Sequence, residues 1–220
     1  MASFLDAQPF SALSLAQRRQ QRHASESATV MGASPWQTPQ QLWRFKTGRS
    51  PAQLPPPGLS SCVELASAAR EAYRARTGFR MNPIDVVDGE YAANMDGVLL
   101  DGQLIVEIKC PLAGRASALW HDAVLGRIPP HYQWQLQHQL MVSGAHLAHF
   151  YVFDGRDGVL IEHAPEAGRH ASLQWRWDTF MHYVRTDRPP PAIDPADGPE
   201  RAPAPRAAPG PGAHPEHRTA

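Results

Sequence analysis

The chain has 220 residues, 42% of them hydrophobic, enough for one domain with a core or one domain with a tail. Its 21 basic and 21 acidic residues cancel, so bulk charge argues neither for nor against a polyanionic partner, and any basic groove must come from local placement. Cys62 and Cys110 form no Cys-x-x-Cys pair, no apolar run approaches the ~20 residues that span a bilayer, and the N-terminus lacks a basic stretch ahead of a long apolar one; these features argue against a zinc site, a disulfide framework, a membrane span and a signal peptide, and for a reducing cytoplasm.

In chain order, "SESATVMG" suggests a short helix with Ser25 as N-cap and Gly32 as its stop. "TPQQLWRFKTG" carries a fuller signature: Thr38 as cap, Pro39 at the first helical position, Gln41 three after the cap and Gly48 past the end. "SSCVELASAAREAYRARTG" predicts a longer helix capped by Ser60 or Ser61 and ended by Gly78. "MDGVLLDGQLIVEIKCP" is two apolar runs joined by Asp101-Gly102, a hairpin signal. Helices follow at about 115–125 and 130–142, then strands in "AHLAHFYVFDG" and "GVLIEHA", then a closing amphipathic helix in "SLQWRWDTFMHYVR". From Arg188 on the chain is Pro, Ala and Gly with scattered charge, too poor in apolar surface to offset its ordering entropy. The expected organisation is an α/β (α+β) domain over 1–187, a mixed central sheet flanked by helices, and a disordered tail over 188–220.

The strand "LIVEIKCP" spends two charges, Glu107 and Lys109, on one face. With Asp101-Gly102 as a two-residue turn, Leu100 pairs with Gln103 and Asp96 falls opposite Glu107. Two opposed carboxylates repel; Lys109 offsets part of this, and a divalent cation would offset the rest. Two carboxylates, a backbone carbonyl and waters make an oxygen-ligand site suited to Mg²⁺ or Mn²⁺. A neighbouring lysine can hold a phosphate oxygen or help deprotonate an attacking water, which is the chemistry of phosphodiester hydrolysis. A solvated Asp-Glu-Lys patch would be the plainer reading, but Val98, Leu100 and Ile105 on that face and Leu99, Leu104, Val106 and Ile108 on the other are apolar, so both faces look covered and unpaired charge is costly.

Downstream, "PPHYQWQLQHQLMVSG" places Tyr132, Gln135 and Gln139 on one side of a helix and Trp134 and Met141 on another. His121, His131 and His138 are expected at the surface, Cys110 as a small hydrophobe, and Trp36 and Trp43 in helix packing, with stacking on a DNA end the sharper option.

These pieces together resemble a known pattern. Asp96 followed by Glu107-x-Lys109 on a hairpin resembles the core of the PD-(D/E)XK nucleases. "SESATVMGASPWQTPQQLWRFKTGR", "AREAYRARTG", "MDGVLLDGQLIVEIKCP" and "GRIPPHYQWQLQHQLMVSG" resemble, in order, four blocks of the YqaJ-like phage recombinase nucleases of the lambda exonuclease type. The resemblance implies a restriction-endonuclease-like core and Mg²⁺-dependent 5′-to-3′ digestion of double-stranded DNA. It further implies a bacterial or phage-encoded cytoplasmic protein, a single-strand annealing partner and a homo-oligomer. Carried over, it makes Asp96, Glu107 and the Ile108 carbonyl metal ligands, Lys109 the catalytic lysine and Gln135 a group that positions the lysine or the water. Arg18 and Ser25 match positions that hold a terminal 5′ phosphate, with Arg19 and Arg22 as rivals, and Tyr132 joins them along the DNA. Ala66 stands where the family has a metal-binding Glu on its second helix, Ser14 where it has a Trp and Met95 where it has a Pro. Glu64 replaces the missing Glu only under a different helical register. An endonuclease on the same scaffold and a DNA-binding module with weakened catalysis are the alternatives.

Overall fold

The computed structural model describes residues 3–5, 12–51 and 59–193, with side chains from 16 on and, in the third stretch, from 65 on. Strand β1 (Ser3–Leu5) and helix α1 (Ala12–Gln20) lead into the two-residue β2 (Arg22–His23), a 3₁₀ turn (Ala24–Glu26) and helix α2 (Ser27–Val30). Helices α3 (Pro39–Lys46) and α4 (Leu59–Thr77) follow, then strands β3 (Asn82–Asp88), β4 (Tyr91–Val98) and β5 (Leu104–Lys109). The chain continues through α5 (Ala118–Val124), α6 (Pro130–Ser143), β6 (Leu147–Phe153), β7 (Gly158–His163) and α7 (Ala167–Arg185). The strands form one mixed sheet in the order β1-β3-β4-β5-β6-β7, with β2 joined to β4 in parallel. The β5–β6 pair is also parallel, and α5 and α6 make its crossover.

Helices cover both sides of the sheet. On one side Met95, Ile105, Phe150 and Val152 pack with Leu136 and Leu140 of α6. On the other Leu104, Val106, Ile108 and Tyr151 pack with Ala69 and Tyr73 of α4. That double cover explains why β5 reads as an almost continuous apolar run. A third core joins α2, α3 and α7 through Leu42, Trp43, Leu173 and Trp177, with Trp134 of α6.

Several elements form where local chemistry dictates. Thr38 caps α3 in a reciprocal capping box with Gln41, Pro39 opens it, and Gly48 follows in the left-handed region at φ 76°. Helix α4 begins at Leu59, so Ser60 and Ser61 lie inside it, and their side chains fall outside the described residues. Pro190 is buried and Ile193 lies against Gly32, so the start of the Pro-rich segment rests on the fold; residues 194–220 lie outside the described residues.

The sequence reading needs four corrections. Ser25 does not cap α2: the turn starts one step earlier, and His23 Nδ1 accepts the Ser25 N–H at 3.3 Å. The β4–β5 loop has four residues, not two. Leu99 and Leu104 close it, and Gly102 N–H donates to Leu99 O at 2.8 Å. Going from two to four loop residues preserves parity, so Gly97 still pairs with Val106 and Val98 with Ile105. His138 is wholly buried rather than at the surface, because Ser27 and Trp177 supply polar partners for its ring. Trp43 is core, but Trp36 stands 54% exposed on a loop.

Candidate active site

The site begins with a fault in the sheet. From Asn82 to Ile84 on β3 the partners on β4 run from Val98 to Met95, so β4 spends one residue more than its neighbour. This is a β-bulge, and it contains Asp96-Gly97. Gly97 is required there: a Cβ would come within 2.3 Å of Met81 Cβ and 2.8 Å of Val106 Cγ1. The β4–β5 ladder stops at Gly97 and Val106. Beyond it the Asp96 side chain takes over, its Oδ2 accepting the Ile108 N–H at 2.7 Å. The bulge therefore frees the Asp96 carboxylate from the ladder and folds it over the end of β5.

Glu107 is buried and points toward α6. Lys109 Nζ donates to its Oε1, which also accepts from Gln135 Nε2 at 2.8 Å. Oε2 accepts from Gln139 Nε2 at 2.6 Å. Gln139, itself buried, donates as well to the Asn94 carbonyl at 3.1 Å. Its amide thus ties β4 to β5 across the gap where the ladder has ended. Lys109 Nζ lies 4.9 Å from the centre of the Tyr132 ring. The structure brings Asp96, Glu107, Lys109, Gln135 and Tyr132 together and adds Gln139. That residue's spacing of four from Gln135 was the available signal.

The electrostatics are unbalanced. Burial first, and then the Glu107 carboxylate, push the Asp96 carboxyl up to about 7; Lys109, the Ile108 N–H and Arg70 only partly pull it back. For Lys109 burial works against the ammonium, but Glu107, Tyr132 and Asp96 outweigh it and hold its pKa above the ordinary value. Lys109 is thus held as a charged hydrogen-bond donor to Glu107. Among the described residues no group of three or more His, Cys, Asp or Glu side chains could hold a metal ion. The oxygen donors that Asp96 and Glu107 bring to the cluster are carboxylates, hard ligands that fit Mg²⁺ or Mn²⁺ better than a softer metal. Ala66 contributes no ligand, and the Glu64 side chain lies outside the described residues.

A second polar group forms around the turn after β2. Arg18 donates to Ser25 Oγ at 3.0 Å and approaches Glu26 Oε1 at 3.5 Å. Of its rivals, Arg22 is buried in ion pairs with Glu90 (2.9 Å) and Asp178 (2.6 Å), and Arg19 lies over the Phe45 ring. Helix α6 connects the two groups through consecutive residues. His138 Nδ1 meets Ser27 Oγ at 2.7 Å, two residues from Ser25, and Gln139 holds Glu107. Burial lowers the His138 pKa to about 3, so the ring is a neutral structural link.

The fold is shared with known proteins. The same fold, at a TM-score of 0.68 and 20% identity over 80% of this chain and 94% of the other, is that of an alkaline exonuclease, LHK-Exo, from Laribacter hongkongensis, which has also been solved in complex with dAMP. A phage-related exonuclease from Haemophilus somnus 129PT shares it at a TM-score of 0.61 and 12% identity, over 76% of this chain and 94% of that one. The protein thus has the architecture of the phage-related and alkaline exonucleases. Residues 15–146 match the model of the YqaJ-like viral recombinase domain, and the chain belongs to that family. An uncharacterised protein YqaJ from Bacillus subtilis (strain 168) is 30% identical over 136 residues, 59% of this chain; the match spans 41% of that relative's length.

Proposed function

We propose that this protein is a divalent-metal-dependent deoxyribonuclease that digests double-stranded DNA from its ends, 5′ to 3′, in phage-type homologous recombination. The observation that carries the reading is the surplus of negative charge at the end of β4 and β5. Two carboxylates share one ammonium, and burial together with the Glu107 charge pushes the Asp96 carboxyl up to about 7. Asp96, Glu107 and the Ile108 carbonyl would hold Mg²⁺ or Mn²⁺. When bound, such an ion lowers the pKa of an attacking water and polarises the phosphate.

The chain's own residues divide the remaining work. Lys109, kept charged, would hold a phosphate oxygen and stabilise the charge that develops on it. Gln135 and Gln139 fix the Glu107 carboxylate from α6, so that it faces Asp96 with one orientation. Arg18 and Ser25 would receive a terminal 5′ phosphate, and Tyr132 would lie along the strand entering the site. A single-strand annealing protein as partner, a homo-oligomeric assembly and a cytoplasmic location belong to the same reading. So does a division of the chain into a nuclease unit over 1–187 and a Pro- and Ala-rich appendage over 188–220. Ala66 favours one rival, a DNA-binding module with weakened catalysis, because the site then has one carboxylate fewer than the family pattern.

Linear duplex labelled at either end, with and without a 5′ phosphate and with metal varied, tests the reading. Mg²⁺-dependent release of nucleotides from 5′ ends, with closed circular DNA left intact, is expected. Release in excess chelator, cutting of closed circles, or binding without any release would each count against it.

A further inference from the structure

Trp43, Trp120, Trp134 and Trp177 are buried, whereas Trp36 leaves 54% of its surface open. An indole held open to water is uncommon, because its large apolar area favours burial. Its loop is built rather than loose. Gly32 turns the chain at φ 73°, Ser34 Oγ accepts from the Trp36 and Gln37 N–H groups at 3.3 and 3.2 Å, and Thr29 donates to Gln37 Oε1 at 3.3 Å. The capping box of α3 begins at the next residue, Thr38. The ring is thus fixed before any ligand arrives.

It is also fixed beside the candidate active site. Trp36 meets the His131 ring at 4.7 Å and 81°, and the Tyr132 ring at 6.2 Å. His131 and Tyr132 are 4.2 Å apart, and Tyr132 carries Lys109 Nζ at 4.9 Å from its centre. The indole is therefore no farther from the ammonium than the two spans through Tyr132 laid end to end, within reach of the same stretch of a bound strand. Burial and the neighbouring Lys109 lower the His131 pKa, so the rings next to the indole are uncharged near neutral pH. Uncharged rings beside a charged lysine suit a base lying next to its own phosphate.

We infer that Trp36, backed by His131 and Tyr132, is a stacking shelf for a nucleobase of the DNA strand whose phosphate lies at Lys109. This rests on the nuclease reading and adds a contact to the base where that reading used only phosphate contacts. Stacking of this kind tolerates any base, since each has a π-face, and so contributes grip without sequence preference.

The test uses the full chain carrying Asp96→Asn, which keeps DNA uncut, and linear duplexes with 2-aminopurine at one of the first positions of either strand. With Trp36 present, fluorescence at one position should be quenched on binding. Trp36→Ala should abolish that quenching and weaken binding by roughly 5- to 100-fold, while Trp36→Phe retains most of both. In the otherwise wild-type enzyme, Trp36→Ala should raise KM and leave kcat at saturating DNA within a few-fold. Unchanged quenching and affinity in Trp36→Ala overturn the shelf, as does a loss confined to kcat. If the wild-type chain digests DNA and Trp36→Ala is indistinguishable from it, the shelf alone falls. If the wild-type chain neither binds nor digests DNA, the nuclease reading falls with it.

Discussion

Two clusters of buried charge lean on the same helix and differ in one respect. Around the turn after β2, Glu26 and Lys46 meet at 2.6 Å with 5% and 0% of their side chains exposed. Lys46 also donates to the Arg18 and Gln21 carbonyls. There the buried carboxylate is fully met by cations, Lys46 and the partly exposed Arg18 at 3.5 Å, and backbone carbonyls take the remaining ammonium hydrogens. At the end of β4 and β5, two carboxylates face a single lysine, and Asp96 is driven toward protonation. A buried carboxylate met in this way holds elements together, and removing one partner costs more than the intact contact contributed. An unbalanced one costs stability until a cation arrives, which is the signature expected of a site kept for chemistry.

The contrast can be broken from either side. Glu26→Ala would leave Lys46 buried and unpaired and should cost about 3–5 kcal/mol, read by urea unfolding. Gln139→Leu removes the amide that spans Asn94 and Glu107 and should lower the rate of DNA digestion by roughly 10- to 100-fold. A thermal midpoint close to wild type would show that the loss is one of positioning. Gly97→Ala forces a Cβ against Met81 and Val106 and should destabilise by about 1–3 kcal/mol, seen as a lower urea midpoint.

Stability should also slope with pH. Asp96 titrates at about 7 in the fold against 3.8 as the ordinary value, so the metal-free fold binds the extra proton between those values. Its contribution to stability is full below pH 4 and is lost as pH rises through 7. Asp96→Asn removes that slope and should raise the metal-free Tm at pH 8 by roughly 5–15 °C. Mg²⁺ should raise the wild-type Tm at pH 8 and leave the variant's unchanged. His138 works in the opposite sense: its pKa of about 3 in the fold, against 6.5, makes stability fall as pH drops below 6.5.

Much of this was legible in the sequence. The Asp96–Glu107–Lys109 grouping follows from strand alternation and an Asp-Gly turn, and it survived an error in loop length because parity was kept. Thr38, Pro39, Gln41 and Gly48 announced α3 through short-range chemistry alone. The bulge at Asp96-Gly97 was not legible, since an extra residue in a strand leaves no periodic trace beyond a glycine. Strand β3 is signalled in the sequence only by Asp88-Gly89 at its turn into β4, with Gly89 at φ 58°. The burial of His138 and the exposure of Trp36 depend on Ser27, Trp177 and the geometry of the α2–α3 loop, which only the folded chain assembles.

The central claim is that the charge-surplus cluster at the end of β4 and β5 hydrolyses DNA. Its most direct test is the rate at which Lys109→Ala releases nucleotides from linear duplex DNA in Mg²⁺. A fall of at least about 100-fold, with the fold intact by circular dichroism, is the predicted result. Release at the wild-type rate would contradict the account.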